Sequence, residues 1–219
     1  DFALGFTLTE EIVAHAADVR AIAPVRYSAG IEVEIKIPDE AARALGDRGR
    51  ALVGRTGCGL CGVTTIDQAL RAGGPHVRSG SVPLAALYRA GAELPALQRY
   101  NDGTGAVHAA AWAAPDGRVV LVREDVGRHN ALDKLIGAML GSGCDPASGF
   151  VVVTSRASYE LVQKCAVAGI GLLAAISRPT DLAIRMAQAA GLTLVGLLRG
   201  RSANVYAHPE ALGLESERA

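Results

Sequence analysis

The chain has 219 residues, half of them apolar and only 4% aromatic, which suits one medium-sized domain with a core of Ala, Leu, Val and Ile and no need of staples. Its 22 basic residues balance 22 acidic ones, excluding bulk electrostatic binding to nucleic acid or an anionic membrane, which rests on neutralising many phosphates. Disorder is excluded by the high apolar fraction, and no run reaches the ~18 apolar residues of a membrane-spanning helix.

The first hundred residues read as irregular. Leu4, Leu8, Ile12 and Val13 fall at helical spacing, and alternating Ile31, Val33, Ile35 and Ile37 predict a strand with Glu32, Glu34 and Lys36 facing out. The opening Asp1-Phe2-Ala3-Leu4 lacks an initiator Met and lies inside an apolar pattern, so a further N-terminal segment is expected before it. A Gly- and Arg-rich stretch from Gly46 to Gly62 carries a cysteine pair, a turn-rich run follows from Gly73 to Ser81, and a helix is predicted near Leu84 to Ala90, ended by Gly91.

From Val107 onward the pattern is regular. The turn Pro115-Asp116-Gly117 leads to a strand over Val119 to Val122, then a helix with Leu132, Leu135, Ile136 and Met139 on one face and Gly141 past its end. Strands follow at Phe150 to Val153, Leu172 to Ile176 and Leu194 to Leu198, alternating with helices at Tyr159 to Ala168 and Leu182 to Ala190 that close on Gly169 and Gly191. Alternation with short connections predicts an α/β fold, a largely parallel sheet covered by helices, spanning 1–219 as one domain.

Of the four cysteines only Cys58 and Cys61 are close, in Gly57-Cys58-Gly59-Leu60-Cys61-Gly62. That is no secreted disulfide framework, so a reducing cytoplasm is expected. Structural zinc takes four protein ligands, and here one pair would need His76 or His108 to complete a mixed site. A zinc deaminase would want His-x-Glu and Pro-Cys-x-x-Cys, but His108 is followed by two alanines and Cys58 by no such preceding proline. Thioredoxin-like chemistry wants the first thiol at a helix N-terminus. Burial as small core residues is the bland alternative. Sulfur relay is the remaining one: a thiolate takes a terminal sulfur as a persulfide and hands it on from a bendable glycine-flanked loop, with Arg55 near to support the thiolate.

Ligands of open α/β sheets sit beyond the carboxyl ends of the strands. Three such turns are polar: Arg123 to Asn130, Thr154 to Ser158 and Ser177 to Asp181. Helix N-termini with Gly127 and Arg128, or with hydroxyls and Arg156, suit anions, although solvated turns with Asn130 or a hydroxyl as helix cap would look the same. The stretch Leu198-Arg199-Gly200-Arg201-Ser202-Ala203, directly after a strand, suits a phosphate-bearing ligand or an exposed turn equally. No Walker loop or dinucleotide fingerprint follows a strand.

Taken in order, these segments resemble the FdhD-type formate dehydrogenase accessory proteins. The resemblance is carried by Asp1-Phe2-Ala3-Leu4-Gly5-Phe6 with Thr9-Glu10, by Cys58-Gly59-Leu60-Cys61-Gly62, and by Thr104 to Ala110. It continues in Arg123-Glu124-Asp125-Val126-Gly127-Arg128-His129-Asn130-Ala131-Leu132-Asp133-Lys134, Ser155 to Lys164, Gly191 to Gly196 and Asn204 to Pro209. Ala106 and Gly171 stand where glycine and proline are common in that family.

The resemblance implies a cytoplasmic, usually dimeric protein with a three-layer, cytidine-deaminase-like α/β/α fold, a mixed sheet and a mainly parallel C-terminal portion. It implies a sulfurtransferase that takes persulfide sulfur from a cysteine desulfurase and gives it to the molybdenum cofactor, bis-molybdopterin guanine dinucleotide, for formate dehydrogenase. Cys58 would carry the persulfide and Cys61 assist. Leu198, Arg199, Gly200, Arg201, Ser202 and Ala203 match the cofactor-binding stretch, which a guanine nucleotide would also occupy. No metal ligand set, nucleic-acid partner or membrane contact is implied. A non-catalytic cofactor chaperone and a Cys-x-x-Cys thiol oxidoreductase are the alternatives.

Overall fold

The structure, a computed structural model, describes residues 1–48 and 76–214. In chain order these form helix α1 (Phe2–Thr9), strands β1 (Ala21–Tyr27) and β2 (Gly30–Lys36), helices α2 (Asp39–Arg48), α3 (Leu84–Leu97) and α4 (Arg99–Thr104), and strands β3 (His108–Ala113) and β4 (Val119–Asp125). The remainder alternates: α5 (Arg128–Ser142), β5 (Phe150–Val153), α6 (Tyr159–Val167), β6 (Leu172–Ala175), α7 (Asp181–Ala190), β7 (Thr193–Arg199) and β8 (Ser202–Ala207).

The apolar runs of β5 and β6, buried on both faces, have the composition of central parallel strands. They pair in parallel with each other, and β6 with β7, while β3 joins β5 and β8 joins β7 antiparallel. The sheet therefore has six strands in the order β4-β3-β5-β6-β7-β8 and is mixed, its parallel strands lying in the middle. Alternate residues feed two cores. Trp112, Val151, Val153, Leu173 and Leu194 pack under Leu132, Leu135, Ile136, Leu161 and Met186 of α5, α6 and α7. Phe150, Val152, Leu172 and Val195 pack on the other face against Leu87, Ala90 and Leu94 of α3. Truncating any of the fully buried leucines to Ala should cost about 2–5 kcal/mol.

α1 lies against α5 at backbone contact. A Cβ on Gly5 would stand 1.8 Å from the Asp133 carbonyl oxygen, and one on Gly137 would stand 1.9 Å from that of Asp1. Among the described residues no helix is long and apolar enough to cross a membrane.

Several elements depart from the sequence reading, each for a local reason. α1 stops at Thr9, with Glu11 at φ 52°, so Ile12 and Val13 lie beyond it. α3 continues through Gly91 to Leu97, because Gly91 gives room to the Leu198 side chain, 3.1 Å from where its Cβ would be. α5 likewise runs past Gly141 and closes on Gly143, at φ 66°. β3, an alanine-rich strand, was not anticipated, nor was β8. The strand at Ile31 to Ile37 pairs with an unanticipated partner, β1, and leaves Ile31 and Val33 exposed and Ile35 and Ile37 half-buried.

Candidate functional site

All the strand ends that carry the expected polar turns lie on one rim of the sheet. β5, β6 and β7 are parallel, so their carboxyl ends share it. β3 runs oppositely and begins there, with His108 paired to Asp125 at the end of β4, and Ala110 paired to Val153. β8 begins there too, Ser202 opposite Arg199. The rim thus gathers His108, the three polar turns and the stretch Leu198 to Ala203.

Short hydrogen bonds tie the turns together. The Thr154 hydroxyl accepts from the Ala109 N–H at 2.9 Å, and the Thr154 N–H donates to the Ala109 carbonyl at 3.0 Å, joining β5 to β3. The Thr180 N–H donates to the Ala157 carbonyl at 3.0 Å, and the Thr180 side chain caps α7 by accepting from the Ala183 N–H. Leu197 donates its N–H to the Ser177 carbonyl at 3.1 Å.

The last of these bonds shapes the arginine hairpin. A Cβ on Gly196 would lie 2.8 Å from Cδ of Pro179, so only glycine lets β7 approach the Ser177 turn this closely. Pairing with β8 slips between Gly196 and Arg199, and Leu197 sits at φ 53°, the left-handed region that costs a branched residue about 1–2 kcal/mol. Such strain clusters at functional segments. Beyond it Leu198 is buried in the α3-side core and anchors the hairpin. Gly200 turns the chain at φ 55°, Arg199, Gly200, Arg201 and Ser202 are exposed, and Ala203 is half-buried. The structure therefore makes this stretch a strained two-strand corner with two outward guanidinium groups, rather than a plain turn after a final strand.

The turn before α5 is organised by Asp125. Its carboxylate accepts from the Gly127 N–H at 2.8 Å and from the Asn130 amide at 3.2 Å, and pairs with Lys134. Burial would raise its pKa, but the hydrogen bonds from Lys134 and Gly127 hold it below the ordinary carboxylate value. Gly127, not Asn130, is the N-cap of α5. His108 is held below the usual imidazole range, first by burial and then by the Arg128 charge. It is therefore kept neutral near neutrality. His129 is buried, with Nε2 3.4 Å from the Ser158 hydroxyl and 3.9 Å from a Glu160 carboxylate oxygen. Ser158 is the N-cap residue of α6, but its hydroxyl makes no side-chain capping bond and approaches His129 instead.

A second polar centre, which sequence reading missed, lies under α1. Lys164 is only 5% exposed. Its ammonium donates to Glu10 at 2.7 Å and Thr9 at 2.9 Å, lies 3.0 Å from Asp133 and stands 5.6 Å above the Phe6 ring. Thr9 donates to Asp133 at 2.6 Å. Burial raises the pKa of Asp133, opposed by the charge of Lys164 and the bond from Thr9. The one available signal was a lysine within the apolar face Leu161, Val162, Cys165 and Ala166.

Cys58 and Cys61 lie outside the described residues, and with them the mixed zinc site they would have made with His76 or His108. Of the other thiols, Cys165 is wholly buried, which pushes its pKa far up, and Cys144 is partly buried. Among the described residues no group of three or more His, Cys, Asp or Glu is placed to hold a metal. What the rim can do is bind an anion: it offers exposed guanidinium groups, hydroxyls and the N-termini of α5, α6 and α7.

Residues 1–213 match the model of the FdhD/NarQ family. The chain is 54% identical over 214 residues to a protein of Bordetella petrii named sulfur carrier protein FdhD, covering 98% of this chain and 77% of that one. It is 51% identical over 219 residues to the protein of the same name from Cupriavidus necator, covering 100% of this chain and 76% of that one. Its fold is similar to the crystal structure of a protein from Desulfotalea psychrophila assigned as a formate dehydrogenase accessory protein, with TM-score 0.71 and 26% identity over 96% of this chain and 78% of that one.

Proposed function

The chain belongs to the FdhD/NarQ family, and from that premise we propose that it is a sulfur carrier serving formate dehydrogenase. The reading rests on its near-full-length similarity to proteins named sulfur carriers, joined with one structural observation: the strained corner at Leu197 that turns Arg199 and Arg201 outward on the rim of the sheet. In this reading the fold is the three-layer cytidine-deaminase-like one, the protein works in the cytoplasm, and it acts as a sulfurtransferase.

The chemistry divides between two parts of the chain. Cys58, as thiolate, attacks the terminal sulfur of a persulfide on a cysteine desulfurase. The donor's sulfur–sulfur bond breaks, its cysteine leaves as thiolate, and Cys58 holds the sulfur as a persulfide. Attack by the Cys61 thiolate on the inner sulfur then forms a Cys58–Cys61 disulfide and frees hydrosulfide for the acceptor; a cellular dithiol restores both thiols. The acceptor is the molybdenum cofactor, bis-molybdopterin guanine dinucleotide, whose diphosphates the guanidinium groups of Arg199 and Arg201 fork onto. Gly200, Ser202 and Ala203 supply backbone approach around them, and Leu198 fixes their base. The open hairpin end fits this use, because it holds two cations and no side-chain carboxylate between Leu198 and Ala203.

The test is maturation of formate dehydrogenase in cells lacking their own carrier. Cys58→Ala should abolish dehydrogenase activity with the thermal unfolding midpoint unchanged, and Arg199→Ala with Arg201→Ala should reduce it strongly. Full activity from Cys58→Ala, with loss only in the arginine variants, would establish a cofactor chaperone instead. Reduction of a model disulfide with no nucleotide dependence would mark a thiol oxidoreductase.

A further inference from the structure

The chain as a whole is neutral, with 22 basic and 22 acidic residues, yet charge is unevenly spread along the rim of the sheet. At the end of β4 both carboxylates are engaged. Glu124 accepts from the Tyr100 and Asn101 N–H groups, and Asp125 accepts from Gly127 and Asn130 and pairs with Lys134. From β5 to β8 the balance reverses. The segments 154–158, 177–181 and 198–203 contain four arginines, Arg156, Arg178, Arg199 and Arg201, and a single carboxylate, Asp181. Asp181 is already paired with Arg185 at 2.9 Å. All four arginines are exposed, and among the described residues none has a hydrogen bond or ion pair from its side chain.

The backbone beneath these arginines makes them one unit. The Thr180 N–H donates to the Ala157 carbonyl at 3.0 Å, and the Leu197 N–H donates to the Ser177 carbonyl at 3.1 Å. Arg156 is next in sequence to the first acceptor, Arg178 is next to the second, and Arg199 follows the second donor by two residues. Each arginine-bearing segment is thus bonded to the next, across strands lying in the order β5-β6-β7-β8. Neighbouring strands are about 4.8 Å apart, so the strip from β5 to β7 is roughly 10 Å long. Cations held in register by main-chain bonds keep their mutual repulsion in the free protein, and an anion laid along them relieves it.

One diphosphate does not use the whole strip. Guanidinium groups fork onto phosphate in pairs of hydrogen bonds, and the hairpin supplies two such groups, on either side of Gly200. Arg178 and Arg156 remain, at the ends of the next two strands, β6 and β5. We propose that Arg156 and Arg178 form a second phosphate subsite, so that one chain binds along its rim a ligand carrying two diphosphate groups. The inference rests on the reading of the hairpin as the seat of one diphosphate. It adds a second seat, a direction for the ligand from β8 towards β5, and a stoichiometry of one ligand per chain.

Titration calorimetry of the full chain with guanosine diphosphate and with diguanosine tetraphosphate tests this. The tetraphosphate should bind at least about tenfold more tightly, at one molecule per chain. Arg156→Gln with Arg178→Gln should cut that advantage to within about threefold, leaving guanosine diphosphate affinity and far-UV circular dichroism unchanged. Arg199→Gln with Arg201→Gln should weaken both ligands by about tenfold or more. Equal affinity of the parent chain for the two ligands would overturn the proposal. So would an advantage that survives the Arg156 and Arg178 changes, equal weakening of both ligands by those changes, or one tetraphosphate shared by two chains. Sulfur loading, read by mass, separates this from the carrier reading. A chain that takes up no sulfur but keeps the tetraphosphate advantage retains the subsite and loses the carrier role, and a loaded chain without the advantage does the reverse.

Discussion

The arginine hairpin on the rim and the lysine centre beneath α1 are both built from charged residues, and they differ in how those charges are answered. At the hairpin, Arg199 and Arg201 stand exposed on a strained turn, and neither takes part in a salt bridge found among the described residues. Under α1, Lys164 is enclosed and answered on every side by Thr9, Glu10, Asp133 and the Phe6 ring. A charge answered within the chain contributes to architecture, while a charge held out at the cost of backbone strain is, in the proposed function, left for a ligand. Substitutions should therefore separate the two regions into one that moves stability and one that moves binding.

The largest stability effect belongs to Lys164→Met. It leaves Asp133 buried without its cation, at a cost of about 3–5 kcal/mol, and lowers the unfolding midpoint by roughly 10 °C. A midpoint near that of the parent would mean that the lysine centre is dispensable. Gly5→Ala comes next. A methyl group there meets the Asp133 backbone, so α1 must shift, at about 2–3 kcal/mol. Amide exchange in α1 should accelerate while exchange in β5 and β6 stays slow.

Asp133 also sets a pH dependence. Its folded pKa is raised by burial, so the folded state holds its proton more tightly than the unfolded chain. The stability this supplies is complete below the unfolded pKa, near 3.9, and fades as pH rises through the folded value. Denaturant titrations should show that Asp133→Asn removes this fall, whatever its effect on stability at a single pH. The smallest stability effect belongs to Arg199→Ala and Arg201→Ala, which should leave the unfolding midpoint in place. Each should nevertheless weaken binding of guanosine diphosphate by about tenfold and flatten its salt dependence. Equal binding by the parent and the double variant would move the ligand site off the hairpin.

The parts of the molecule legible in the sequence are those where local pattern and tertiary role coincide. The continuous apolar runs Phe150–Val153 and Leu172–Ile176 read as buried parallel strands, and β5 and β6 are such strands, β6 ending one residue earlier at Ala175. His108–Ala113 was invisible because four of its six residues are alanine, a poor strand signal that serves only because both faces of β3 are covered closely. Gly91 and Gly141 read as helix terminators, yet Gly91 exists for the approach of Leu198. The hairpin was half legible. Its alternation was plain, but alternation cannot say that Ile31 and Val33 stay exposed in the described fold.

The candidate site divides in the same way. Arg199 and Arg201 were found from a glycine between two cations after a strand, whereas the bulge and the left-handed Leu197 that aim them depend on the Ser177 turn, some twenty residues earlier. The lysine centre joins residues from α1, α5 and α6 that share no local motif, so only folding brings them together. Family resemblance supplied what neither pattern nor geometry could, a reason to pair the rim with Cys58 and Cys61.

The most direct test is the intact mass of the purified chain after incubation with a cysteine desulfurase and cysteine, followed by removal of low-molecular-weight sulfur. The account expects a species heavier by one sulfur atom, discharged by a dithiol and missing from Cys58→Ala but present in Cys61→Ala. No added sulfur on a chain that still activates formate dehydrogenase, or sulfur that persists in Cys58→Ala, would contradict it.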